Sequence, residues 1–86
     1  MTILEIKDVV RKDVPIYYRR LFTGTAVIEL LGDRLDRRIE FSIETKPTGA
    51  KETTVNLLDD VEYPLIPLVR GLKELVAGMD ASGALP

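Results

Sequence analysis

Residues 38–46, RIEFSIETK, set Ile39, Phe41 and Ile43 in strict alternation with Arg38, Glu40, Ser42, Glu44 and Lys46. Successive side chains of a strand point to opposite faces, so this stretch predicts a half-buried strand. Ile39, Phe41 and Ile43 turn to a core, and the polar set turns to water. The stretch ends on Lys46-Pro47-Thr48-Gly49. Proline presets the φ of a turn and glycine accepts positive φ, so the chain reverses there. Residues 51–57, KETTVNL, alternate again, with Thr53, Val55 and Leu57 on one face and Glu52, Thr54 and Asn56 on the other. The two runs read as a hairpin.

Working outward, residues 25–31 are rich in β-branched and aliphatic side chains and lead into Gly32-Asp33, which suggests a strand and a turn. Residues 2–10, TILEIKDVV, alternate at Leu4, Glu5, Ile6 and Lys7 and make a further strand. Residues 14–23 admit two readings. They are the first half of a long strand running through Gly24, with the glycine marking a bulge. Otherwise they are a short helix with Asp13 as N-cap, Pro15 in its first turn and Gly24 as its stop. Strand is favoured, because Ile16, Tyr17, Tyr18 and Phe22 are good strand formers.

The last element is a helix. Leu65, Leu68, Val69, Leu72, Leu75, Val76 and Met79 form one apolar stripe at helical spacing, with Arg70, Lys73, Glu74 and Ala77 on the wet side. Pro64 and Pro67 are tolerated because they fall in the first turn, where amides lack intrahelical partners. The expected fold class is α+β: an antiparallel four-stranded curved β-meander packed by one C-terminal amphipathic helix, in the order β-β-β-β-α. Residues 1–80 make a single domain, and residues 81–86 read as a frayed tail.

Composition narrows the chemistry. The 86 residues are 45% hydrophobic and include no cysteine, histidine or tryptophan. The usual thiol nucleophile and imidazole base are therefore missing, and the protein is expected not to be an enzyme. The two serines, Ser42 and Ser82, have no base nearby in sequence. Asp59, Asp60 and Glu62 form the densest acidic group, and they read as a loop leading into the positive end of a helix rather than as a metal site. No cofactor is expected, and the phosphate-cradling glycine patterns are missing. No apolar run approaches the roughly 20 residues of a membrane span. Charged Glu5, Lys7 and Asp8 interrupt any signal-peptide core, so a cytoplasmic location is expected.

The formal net charge of -2 is unevenly spread. Residues 1–51 carry ten bases against eight acids, and residues 52–86 carry two bases against six acids. Within the front part, Arg19-Arg20 and Arg34, Arg37, Arg38 are clusters suited to phosphate. Tyr17 and Tyr18 sit beside the first, in the manner of single-strand binders that stack bases on aromatics. Asp33, Asp36 and Glu40 lie close enough in sequence to neutralise the second cluster, and Glu40 and Glu44 on the wet strand face oppose a phosphate backbone.

Leu31, Leu58 and Ile66 find no place in a single core. Leu31 is out of phase with Ala26, Ile28 and Leu30, and Ile66 lies to the side of the helical stripe. A domain this small, without disulfides, gains by burying such groups between subunits, so a homodimer is expected with these three residues at its interface.

The β-β-β-β-α order, with KETTVNLLDD leading into YPLIPLVRGLKELV, resembles the layout of the Pur-alpha, Whirly and transcriptional positive-cofactor families. The resemblance covers most of residues 2–79 as an arrangement. It implies single-stranded nucleic-acid binding, usually by a dimer. Two functions are thus expected in order: a non-catalytic interaction or assembly module, and alternatively a single-stranded nucleic-acid binder using Tyr17, Tyr18, Arg19, Arg20, Arg34, Arg37 and Arg38.

Overall fold

A computed structural model describes all residues, Met1–Pro86. The alternating segments become four strands: β1 (Thr2–Lys12), β2 (Arg19–Leu30), β3 (Asp33–Thr45) and β4 (Lys51–Leu57). They form one antiparallel sheet in the order β1-β2-β3-β4. The helix α1 (Leu65–Ala81) closes the chain, so the β-β-β-β-α order and the antiparallel sheet are as the sequence predicts. Two strands of 12 and 13 residues set the long axis of a molecule measuring 42 × 23 × 22 Å.

The register decides which face is dry. Phe22 pairs with Phe41, and their rings stack at 5.1 Å and 18°. On the same face Ala26, Ile28, Ile39, Ile43 and Val55 are buried, and α1 lays Leu68, Leu72 and Val76 over them. Leu75, expected in the core, is only half-buried, because the buried line of the helix follows 68, 72 and 76 at four-residue steps. Ile3 and Ile6 of β1 close the other side of the core.

Several local features differ from the sequence reading. The segment 14–23 is neither wholly strand nor helix: β2 begins at Arg19, and residues 13–18 form a turn-rich connection. β2 does run through Gly24, but the irregularity lies on β1, whose register with β2 shifts between Lys7 and Val10. Asp8 there takes φ 54°. A Cβ on Gly24 would stand 3.2 Å from Ile6 Cγ2 and 3.3 Å from the Lys7 carbonyl, so glycine admits the bulged strand. The β2–β3 turn falls on Leu31-Gly32, both with positive φ (51° and 83°), one residue earlier than Gly32-Asp33. Such double left-handed turns match the twist of the flanking strands. β3 starts at Asp33 rather than 38, because pairing with Leu30 and Glu29 extends a charged stretch that has no hydrophobic alternation.

The outer face is less wet than alternation implies. Val27 is fully buried there and Ser42 is 6% exposed. Lys7 of β1 and Asp36 of β3 form an ion pair of 3.0 Å. Their register partners on β2 are Thr25 and Val27, so the pair crosses over the strand and covers Val27. Lys12 and Glu40 span the same strand in the same way at 3.0 Å.

The C-terminus is ordered rather than frayed. Gly83, with φ 74°, donates to the Asp80 carbonyl, and Ala84 donates to that of Met79. This is the Schellman closure, which satisfies carbonyls that a helix end leaves orphaned. Leu85 packs on the core beyond it.

Replacing Phe41 by alanine removes a stacked, 1%-exposed ring. The expected cost is about 3–5 kcal/mol, from lost transfer energy and the cavity left behind. For a domain of this size thermal unfolding should then fall by more than about 10 °C. A shift of a degree or two in calorimetry would contradict the packing described.

Candidate functional site

The same alternation that builds the sheet separates its arginines. Neighbouring residues on a strand face opposite ways, so Arg19 and Arg20 diverge, as do Arg37 and Arg38. By register, Arg20 and Arg37 share the helix-bearing face, and Arg19, Arg34 and Arg38 share the outer one. From the Arg19–Glu44 pair to the Glu29–Arg34 pair is ten steps along β3, or about 33 Å. The arginines do not converge into one patch.

Most of them are also engaged. Arg20 Nη2 donates to Asp80 Oδ1 at 2.8 Å. Arg38 Nη2 donates to Asp59 Oδ1 at 2.8 Å, and the Arg38 amide donates to Oδ2 at 2.8 Å. Arg37 donates to the carbonyls of Asp60 (3.0 Å) and Asp36 (2.9 Å). Arg34 lies 4.0 Å from Glu5. Arg19 has no ion pair, although Glu44 is its register partner. Tyr17 and Tyr18 meet edge to face at 6.1 Å, with Tyr17 fully exposed. They line a shallow depression with Glu44, Thr45, Lys46 and Pro47.

The acidic loop also divides. Asp59 turns to Arg38, whose side-chain hydrogen bonds, and then its amide, hold the Asp59 carboxyl down to about 2. Asp60 and Glu62 remain exposed, with no ion pair.

A tighter charge cluster escapes sequence reading. Asp80 sits near the helix C-terminus, where the dipole disfavours an acid. Its side chain is 10% exposed and is gripped by Lys51 Nζ at 2.9 Å and Arg20 at 2.8 Å. Hydrogen bonding from Lys51 first, and from Arg20 after it, lowers the Asp80 carboxyl below its ordinary value against the opposing effect of burial. Asp80 thereby fastens the end of α1 to β2 and β4. Arg20 and Asp80 are 60 residues apart, so no local pattern signals the pair.

The three leftover aliphatics are all exposed but not gathered. Leu31 projects from the hairpin tip at 95% exposure. Leu58 follows β4, with its amide on the Arg38 carbonyl. Arg38 lies five residues along β3 from Asp33, so Leu58 and Leu31 stand about 17 Å apart. Ile66, 74% exposed, lies on the outer side of α1. There Leu65, Ile66, Val69, Arg70 and Lys73 line a depression of about 430 Å³. Neither Arg70 nor Lys73 has an ion pair. Leu65 also borders a second depression of about 390 Å³ that contains Asp60 and Glu62. Acidic, apolar and basic groups thus follow one another along a single face.

The chain belongs to the BB_0187 family. The family model matches residues 1–81, which include all four strands and α1. No curated protein and no solved structure matches. Asp80, Arg20, Lys51 and the exposed face of α1 all lie inside the matched span. No helix of this family member is long and apolar enough to cross a membrane.

The Asp80 cluster generates a pH-dependent prediction. A carboxyl lowered in the folded state contributes stability that is complete above its unfolded value, about 3.9, and is lost as pH falls through the folded value. Asp80→Asn should cost roughly 1–3 kcal/mol in urea denaturation at pH 7, because it removes a charged acceptor from two cations. The gap between the two proteins should close on acidification below about pH 4. A gap of constant size from pH 7 to pH 2.5 would show that the charge of Asp80 contributes nothing.

Proposed function

We propose that this protein is a non-catalytic assembly module that works as a homodimer through the outer face of α1. One observation carries the reading: Leu65 and Ile66, 53% and 74% exposed, stand together with half-buried Val69 on a helix whose other side is already packed. Only 14 of 86 residues are buried, so a second buried surface adds substantially to a small core. The absence of histidine and cysteine agrees with a role that needs no acid–base or thiol chemistry. The sheet edges are poor alternatives. β1 is interrupted by two register shifts, and β4 is seven residues long with Lys51 and Glu52 at its start. Bulges, charges and short length are the devices that blunt an edge.

Sedimentation equilibrium at micromolar concentration should give about twice the 9.6 kDa chain mass. Ile66→Asp should return it to the monomer mass without unfolding, because Ile66 packs on nothing inside the subunit. A monomer mass for the unaltered protein would end this reading.

A second reading rests on Tyr17. Its fully exposed ring stands beside Tyr18, with Arg19 unpaired next in sequence, and this is a small stacking platform for a single strand. Binding of an oligothymidine should then weaken steeply between about 50 and 200 mM salt, through counterion release. Tyr17→Ala should abolish it. An unshifted oligonucleotide at low salt would remove the reading.

A further inference from the structure

The face of α1 has an order as well as an apolar centre. Asp60 and Glu62 precede it, Leu65, Ile66 and Val69 form its middle, and Arg70 and Lys73 follow. None of these four charged side chains is paired within the subunit. Glu74 does not belong to the run, since one residue beyond Lys73 it points about 100° away round the helix.

A two-fold axis makes the same patch meet itself, so that residue i touches j while j touches i. With helices antiparallel, the acidic end of one copy meets the basic end of the other, twice. With helices parallel, base meets base and acid meets acid. The midpoint between the two acids and the two bases falls at Ile66, which is also the most exposed apolar residue of α1. Charge order and exposure therefore select the same centre. Arg70 lies about 6 Å and Lys73 about 10 Å along the helix from Ile66, within reach of the partner's acidic loop.

We propose that the occupant of this face is a second copy of the chain, its α1 antiparallel and crossing at Ile66. Asp60 and Glu62 of each subunit then face Arg70 and Lys73 of the other. The inference rests on the dimer reading above and adds the orientation, the centre and the charge pairing.

The test uses two double variants of the full chain. Arg70→Glu with Lys73→Glu makes the face wholly acidic, and Asp60→Lys with Glu62→Lys makes it wholly basic. Each alone should dissociate at micromolar concentration, its dimer dissociation constant raised more than ten-fold. An equimolar mixture should restore a dimer of one acidic and one basic chain, because both charge contacts are then attractive again. Circular dichroism checks that each variant keeps its helix and sheet. The only backbone contact in the altered set, Arg37 on the Asp60 carbonyl, survives any side chain at position 60.

The chain has no cysteine, so single introduced thiols report the geometry cleanly. Ile66→Cys should form an intermolecular disulfide, which needs Cα atoms about 5.5 Å apart. Lys73→Cys should not, since two such residues would lie about 21 Å apart along antiparallel helices. Restored pairing in the mixture together with an Ile66→Cys crosslink supports the proposal. If the unaltered protein is a dimer but the mixture fails to pair, or Lys73→Cys crosslinks instead, this geometry is wrong while the dimer stands. If the unaltered protein is a monomer, both fall.

Discussion

The stacked pair Phe22 and Phe41 holds β2 and β3 in one register, and nearly every other placement descends from that register. A slip of one residue would turn every side chain of a strand to the other face. Ile39, Ile43, Ala26 and Ile28 would then face water, and α1 would have nothing to cover. With the pairing as it stands, Arg20 and Lys51 fall on the helix-bearing side, where Asp80 meets them. The same pairing puts Lys7 and Asp36 on the other side, where they cover Val27. Charges on both faces are therefore positioned by the aromatic core rather than by their own attractions, which at exposed sites are weak.

The parts of this fold legible in the sequence are those where periodicity and burial agree. Ile39, Phe41 and Ile43 alternate, and they are buried. Leu68, Leu72 and Val76 repeat at helical spacing, and they are buried too. The misread parts have other causes. Residues 33–37 carry four charges yet extend β3, because the opposite strand offers ladder partners whatever the side chains. The bulge at Asp8 answers a neighbour, Gly24, on another strand. Ser42 is buried beside Leu21 of the adjoining strand, which single-strand alternation does not see. The C-terminal segment carries its signal in Gly83, a residue suited to a left-handed helix stop, although its composition alone reads as a loose tail.

The candidate site is legible in part. Ile66 stands out because it departs from the helical stripe, and it is exposed on α1. The arginine clusters stand out because of their adjacency, yet adjacency on a strand is what separates side chains. Their partners are distant in sequence: Asp59 is 21 residues from Arg38, and Asp80 is 60 from Arg20. An arginine pair is a phosphate site only where two guanidiniums can face the same oxygens. The sheet forbids that for both adjacent pairs here.

What remains unengaged after these pairings is informative. Asp59 and Asp80 each answer an arginine, whereas Asp60, Glu62, Arg70 and Lys73 answer nothing within the subunit. The satisfied charges fasten the loop and the helix end to the sheet. The unsatisfied ones lie on the opposite side of α1, in two groups of opposite sign, with aliphatic side chains between them. A solvated helix face gains nothing from such an order, since exposed leucine and isoleucine forgo the burial that would stabilise the domain. An interface gains twice. The apolar centre is withdrawn from water, and the flanking charges select the antiparallel arrangement over the parallel one, which would set like charges together. The asymmetry of α1, dry on one side through the core and ordered on the other by charge, is therefore the feature that ties the architecture of this domain to assembly.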